Sequence, residues 1–204
     1  RALETATKVG ISIPTEEFVA EASYEVIAAE DFKVGRLRWH FDKAGEFTIS
    51  YTEFEDPVAP ANLMIFDERK SDFEIQRKEF PYKNLELLDI ARAANFDDGI
   101  IVRSDGQVAE TSMATLLLRI GGQWVTPPLS SGILNGVVRA LVLEAGLAQV
   151  KKIEIQELAQ VRSGILLTSL RNAQNIGSID GRELAIDNEK CAEIHKLMNQ
   201  FKGR

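Results

Sequence analysis

The sequence predicts a mixed α/β fold with a substantial C-terminal domain, and three observations predict it. Stretches with apolar residues at helical spacing alternate with stretches whose apolar residues recur at every second position. Turn residues, chiefly glycine, proline and asparagine, separate them at short intervals. One proline-bearing segment, Asp56-Pro57-Val58-Ala59-Pro60, breaks the pattern and reads as a crossover between residues 1–58 and 59–204.

Thr15, followed by Glu16, Glu17 and an apolar-periodic stretch to Ala29, reads as a capped helix with acidic residues where the helix dipole favours them. Val34–Phe41 and Glu46–Phe54 read as strands. In the second, Phe47, Ile49 and Tyr51 alternate with Thr48, Ser50 and Thr52, the period of a half-buried strand. Asp42-Lys43-Ala44-Gly45 between them is a hairpin turn. Past the crossover come a short strand at Leu63–Phe66 and a helix over Asn84–Asn95, whose Leu85, Leu88, Ala91 and Arg92 share helical spacing. Short β segments follow at Gly99–Val102, Leu116–Ile120 and Trp124–Thr126, with Gly121-Gly122 as a turn. Ile133–Ala145 reads as a helix, Ile153–Ile155 and Gly164–Leu170 as strands, and the last helix runs from Asn188 to Phe201. There is no internal repeat.

Composition narrows the class. With 204 residues, 45% apolar and 27% charged, the chain can bury one good-sized core, or one core plus a smaller domain. A net charge of −7 points away from a general nucleic-acid binder. Apolar runs such as Ile165-Leu166-Leu167 are far too short to cross a bilayer. The opening Arg1-Ala2-Leu3-Glu4-Thr5-Ala6 lacks the apolar stretch of a signal peptide, and the single Cys191 cannot form an internal disulfide; a reducing cytoplasm is the expected location. Cys191 itself reads as a partly buried small residue on the last helix. His40 and His195 share no metal-ligand spacing with Cys191, so no metal site is expected.

Four places could carry chemistry. Phe80-Pro81-Tyr82-Lys83-Asn84 puts a lysine directly before a helix, with Pro81 biasing Phe80 to an extended lead-in; alone, it is a surface lysine. Asp105-Gly106-Gln107-Val108-Ala109-Glu110-Thr111-Ser112 is a turn running into a carboxylate; alone, Glu110 is a solvated loop residue. From Trp124 to Arg139 a strand ends in prolines and a Gly/Ser/Asn-containing loop opens a helix. Its free N–H groups suit an anion, and Gly136 would let a phosphate come close; alone, it is an ordinary helix start. Leu166-Leu167-Thr168-Ser169-Leu170-Arg171-Asn172 ends an apolar strand in two hydroxyls, and connections beyond strand ends are where sites are built.

Taken together, order, spacing and context from about Tyr82 to Glu183 resemble the class IV aminotransferases, the fold-type-IV pyridoxal-phosphate enzymes. In that family a lysine opens a helix, and a Gly-x-x-x-Glu stretch follows, here Gly106 to Glu110. A Trp-x-Thr-Pro-x-Leu block precedes a Gly-Ile/Val-x-Arg helix start, here Gly136-Val137-Val138-Arg139. A hydroxyl-bearing strand end comes next, here Thr168-Ser169-Leu170. The resemblance implies a two-domain, D-amino acid aminotransferase-like fold. Residues 1–58 would be the remainder of the small N-terminal domain and 59–204 the larger cofactor-binding domain. The first residues resemble a helix inside the family's N-terminal domain, which is therefore expected to be incomplete in this chain, without the arginine that normally grips the cofactor phosphate.

The implied roles follow residue by residue. Lys83 would hold pyridoxal 5′-phosphate through its aldehyde and act as acid and base at the substrate Cα. Glu110 would pair with the pyridine nitrogen and keep it protonated. The N–H groups of Val137 and Val138 would hold the phosphate, and Ser169 would add a hydroxyl. The N–H groups around Leu170 would take a substrate carboxylate, with Arg171 a candidate for a second one. Arg139, one turn into the helix, reads as a structural ion-pair partner rather than a ligand.

Within the family, three departures point away from branched-chain transamination: Leu88 where a tyrosine is usual, Val138 where threonine is, and Thr168-Ser169-Leu170 in place of Gly-Thr-Ala. They favour aminodeoxychorismate lyase, which releases pyruvate from 4-amino-4-deoxychorismate and leaves 4-aminobenzoate for folate synthesis. A branched-chain or D-amino acid transaminase is the alternative. Thr115, where asparagine is usual, and Val138 keep open a non-catalytic scaffold. A homodimer with a small-molecule substrate is the implied assembly.

Overall fold

The computed structural model describes residues 3, 6–7, 10–42, 44–55, 59–70 and 82–200, the side chains of Lys70 and of residues 82–84 excepted. Phe80, Pro81, the crossover residues 56–58 and Phe201 lie outside the described residues. The chain divides into two compact units, Arg1–Pro57 and Val58–Arg204.

In the first unit, Thr15 caps helix α1 (Glu16–Ala28): its hydroxyl accepts the Phe18 N–H at 3.3 Å, and Glu16 and Glu17 occupy the first turn. Val19, Ala22, Ser23 and Val26 form the least exposed face, at the spacing of one helical stripe. That helix contacts a hairpin of β1 (Gly35–Phe41) and β2 (Phe47–Glu53). Phe47 stacks on Phe41 with ring centroids 4.8 Å apart and meets Phe18 edge-on at 6.3 Å. Trp39 Nε1 donates to Ser23 Oγ at 3.0 Å, so the indole hydrogen finds a partner beside the helix. Tyr51 lies across Gly35 so closely that a Cβ there would strike its ring, which explains a glycine in a paired strand.

The second unit opens with β3 (Ala61–Asp67), helix α2 (Tyr82–Ala93) and β4 (Asp98–Val102), and β3 and β4 pair in parallel from Leu63↔Asp98 to Asp67↔Val102. Parallel pairing needs such a crossover, which α2 supplies. β4 turns back antiparallel onto β5 (Val108–Thr111). β6 (Thr115–Ile120) and β7 (Gln123–Thr126) form a hairpin through Gly121 and Gly122, both at positive φ, as a two-residue hairpin turn demands. Helix α3 (Val137–Glu144) then leads to β8 (Gln149–Val150), parallel to β7. β9 (Ser163–Thr168) pairs antiparallel with both β6 and β10 (Asn172–Ile179). Short β11 (Arg182–Glu183) folds back on β10, and α4 (Asn188–Asn199) ends the unit.

The strand order is β5-β4-β3-β10-β9-β6-β7-β8, with β11 paired to β10. The segment after β8 reaches the opposite edge of the order: Val108 N donates to Ile153 O at 2.8 Å and Ile155 N to Gly106 O at 3.0 Å, around an isolated Gln107–Glu154 bridge. Alternation sorts the core. Leu116, Leu118 and Ile120 of β6 and Leu166 of β9 join one buried cluster with Leu63, Ile100, Ile153 and Ile176. Leu117, Ile165 and Leu167 face the other way, onto Val138 and Val142 of α3 and Cys191, Ile194 and Met198 of α4. Each fully buried aliphatic side chain of this kind contributes on the order of 1.5–3 kcal/mol. Among the described residues, no helix is long and apolar enough to cross a membrane.

Four elements depart from the sequence reading. Val108–Thr111 is a strand, although the sequence suggests a turn running on into Glu110; Val108 and Ala109 are fully buried, but polar neighbours hide the period. Ile153–Ile155 is not a strand: Glu154 makes one bridge to Gln107, and a 3-10 turn with a Glu154–Glu157 capping box follows at once. Helix α3 starts at Val137 rather than Ile133, because Gly132 sits at φ 76° and Gly136 is extended. The polar stretch Asn172–Ile179 has no alternation to announce it, yet it forms β10.

Candidate functional site

Glu110 is the third residue of β5 and partly exposed, between buried Ala109 and Thr111. Its Oε2 accepts the N–H of Leu134 at 3.0 Å, which holds the loop between β7 and α3 against β5. The turn after Glu110 is clamped from the other side. Thr111 N donates to Ala114 O and Ala114 N to Thr111 Oγ1, each at 2.9 Å. Asp98, 5% exposed at the head of β4, accepts Gly99 N at 2.7 Å, Ser112 N at 3.1 Å, the Ser112 hydroxyl and Met113 N at 3.2 Å. A carboxylate with this many donors fixes a turn firmly.

Thr115 opens β6 opposite Leu167 of β9, so the β9–β10 connection sits at the same end of the sheet as the turn after Glu110. A Cβ on Gly136 would stand 3.4 Å from Thr115 Oγ1, which brings the start of α3 to the same place. Gly136 caps α3 without a side-chain hydrogen bond, and its carbonyl already accepts Ala140 N at 3.0 Å. The Val137 and Val138 N–H groups are the first two of the helix, and no acceptor takes them among the described residues. The Val138 side chain is buried against the outer core, so only its main chain is available; Val137 is 43% exposed.

Ser169 and Leu170 occupy the exposed β9–β10 connection, which Thr168 Oγ1 closes by accepting Arg171 N at 3.0 Å. Arg171 donates to Gln174 Oε1 at 3.0 Å, and Gln174 Nε2 donates to Ala59 O at 2.9 Å, so its guanidinium is tied into the connection itself. No hydrogen bond among the described residues joins Ser169 or Leu170 to Glu110 or Leu134. Lys83 is the second residue of α2; its side chain lies outside the described residues.

Arg139 corrects the sequence reading. It is 4% exposed and makes no ion pair among the described residues; its Nη2 donates to Pro127 O at 2.8 Å, and its Nε has no partner. Burial pushes its pKa down. Two groups escaped the sequence reading. Leu134 acts through its main chain, which leaves no trace in residue type. Asp98 carries a signal, an acid heading the apolar run Gly99–Val102, and β4 begins at it, one residue before the apolar run.

The fold has known counterparts. It superposes on a branched-chain aminotransferase from Thermoproteus uzoniensis with a TM-score of 0.77 at 20% identity, covering 97% of this chain and 75% of that one. It superposes equally on a Legionella pneumophila protein provisionally named a 4-amino-4-deoxychorismate lyase, with a TM-score of 0.78 at 18% identity over 98% of this chain and 82% of the other. The sequence matches the family described as amino-transferase class IV over residues 1–179, and the chain belongs to that family. Its mixed α/β fold is the fold-type-IV aminotransferase fold. A Schizosaccharomyces pombe protein, provisionally named an aminodeoxychorismate lyase, is 26% identical over 149 residues, 70% of this chain. The match spans 64% of that relative, just under two thirds of its length. Pyridoxal phosphate is the cofactor typical of the family, and small amino-acid substrates are what the family implies.

Proposed function

We propose that this chain is the cofactor-binding part of a pyridoxal-phosphate enzyme with aminodeoxychorismate lyase activity. The observation that carries the reading is the Leu134–Glu110 hydrogen bond, because one loop then serves both ends of one cofactor. The loop supplies a donor to the carboxylate intended for the pyridine nitrogen, and two residues later it ends at Gly136, where the unpartnered N–H groups of Val137 and Val138 suit a phosphate. A Cβ at Gly136 would stand at ordinary van der Waals distance from Thr115 Oγ1, 3.4 Å, so the start of α3 lies beside the start of β6.

When bound, pyridoxal phosphate supplies an electron sink that lets the substrate Cα–H bond ionise. Around it, Lys83 anchors the aldehyde and carries the Cα proton; Glu110 holds the pyridine nitrogen protonated; Ser169 adds a hydroxyl toward the phosphate. The N–H of Leu170 and the guanidinium of Arg171 receive substrate carboxylates. With 4-amino-4-deoxychorismate, the proton taken from Cα would be returned to the departing enolpyruvate, giving pyruvate and aromatic 4-aminobenzoate. A class IV amino acid transaminase, acting on branched-chain or D-amino acids, is the second reading, because the archaeal branched-chain enzyme shares the fold as closely as the Legionella protein does. We assign the working protein to a cytoplasmic homodimer.

The test is to supply the full-length protein with pyridoxal phosphate and aminodeoxychorismate, then assay 4-aminobenzoate and pyruvate beside Lys83→Ala. The expected result is both products in equal amounts from the wild type and none from the variant. A wild type that binds cofactor and turns over only amino-donor/keto-acid pairs replaces the lyase by the transaminase.

A further inference from the structure

Arg139 is placed where protein physics resists a cation. It is 4% exposed, its Nε has no partner, and no carboxylate pairs with it among the described residues. Buried charges are ordinarily paired, because leaving water costs several kcal/mol per ion unless an opposite charge offsets it. An arginine does not escape by losing its proton. It is also the third residue of α3, within the positive end of the helix dipole, and that first turn holds no acidic residue. Burial and dipole therefore act in the same unfavourable direction. Among the described residues a single hydrogen bond, to the Pro127 carbonyl, offsets them. Its Cβ lies 4.0 Å from where a Cβ on Gly136 would stand, so it belongs to the same small region as the unpartnered N–H groups of Val137 and Val138.

We propose that Arg139 is a positioning residue for the cofactor phosphate: its unneutralised charge, in the first turn of α3, strengthens binding of a dianion at Gly136–Val138. This inference rests on the cofactor reading above and adds a residue to it. An anion at the start of α3 relieves both costs at once, which gives the buried cation a use that the Pro127 bond alone does not. A plain loop tie would need a donor, not a charge. The proposal thus makes the affinity difference between pyridoxal phosphate and phosphate-free pyridoxal depend on Arg139.

The experiment titrates full-length apoprotein with pyridoxal phosphate and, separately, with pyridoxal, for the wild type, Arg139→Gln and Arg139→Lys. Gln keeps a donor for the Pro127 carbonyl and removes the charge; Lys keeps the charge and loses the planar fork. The expected result for Arg139→Gln is a loss of about tenfold or more in pyridoxal phosphate affinity with pyridoxal affinity nearly unchanged, and Arg139→Lys holds pyridoxal phosphate to within about threefold. Equal losses for both ligands in Arg139→Gln, or no loss for either, overturn the proposal and leave Arg139 as a loop tie. Should Arg139→Gln fail to fold, a loss of about tenfold for pyridoxal phosphate alone in Arg139→Lys overturns it as well. A wild type that takes up pyridoxal phosphate no better than free lysine does defeats the cofactor reading itself, a result distinct from the variant outcomes.

Discussion

Val137 offers a single-atom test of the phosphate cradle. It is the first residue of α3, 43% exposed, and Gly136 before it is extended at φ −61° and ψ 145°. That is the conformation a residue preceding proline prefers, and the first helical position is where proline fits. Val137→Pro therefore removes one N–H and little else. The expected outcome is weaker pyridoxal phosphate binding, by about three- to tenfold, with the melting temperature within about 2 °C of wild type; titration and thermal unfolding read the two. Unchanged affinity takes the Val137 N–H out of the cradle. At this scale the sequence was informative where a side chain or a helix start marks the group and silent where a lone loop N–H acts. Glu110 and the Gly136-Val137-Val138 start stood out by type and spacing, whereas the Leu134 N–H that engages Glu110 could belong to any residue. Arg139 shows the opposite failure: a charged residue invited an ion pair, but among the described residues its guanidinium meets the Pro127 carbonyl and no carboxylate.

β6 and β9, two of the sequence's clearest apolar runs, pair edge to edge in the sheet, and their alternation decides two cores at once. Leu117 is fully buried and points away from Leu116 and Leu118, toward α3 and α4. Leu117→Ala is expected to cost about 2–5 kcal/mol, since a close-packed layer collapses little around a missing isobutyl group; the denaturant midpoint measures it. A cost below about 1 kcal/mol would mean that the helices are not packed on this face. Elements with one strong period or a cap were readable, α1 with its Thr15 cap above all. The failures share a cause. β5 is four residues long and its burial runs through Val108, Ala109 and Thr111 without alternating, so it offers no period to read. β10 is polar and changes partners midway, from β9 to β3 with a bulge between Ile176 and Ser178, so no single face governs its sequence. The start of α3 is delayed by backbone geometry at Gly132 and Gly136, which apolar spacing does not report.

For the second unit, α4 is the element that ties the outer core to the sheet, and Cys191 is its pH-sensitive point. Burial, with a smaller contribution from the Asp187 charge, pushes the thiol up to about 11. A proton held more tightly in the folded than in the unfolded state stabilises the fold below the unfolded thiol pKa. That contribution is lost as pH rises from about 8.5 through 11, and it amounts to at most about 3 kcal/mol. Stability of the wild type is therefore expected to fall more steeply than that of Cys191→Ala over this range, and denaturant unfolding at several pH values reads the difference. Parallel curves would place Cys191 in contact with water. Over the whole chain, the family membership rests on residues 1–179, while the assignment of a cofactor to this protein rests on Lys83, Glu110 and the start of α3 acting together. The most direct measurement is to incubate the full-length protein with pyridoxal phosphate, reduce with borohydride and locate the label by peptide mass mapping. A yellow protein carrying the pyridoxyl group on Lys83 is the expected result; no uptake, or label on other lysines with Lys83 unmodified, would contradict the account.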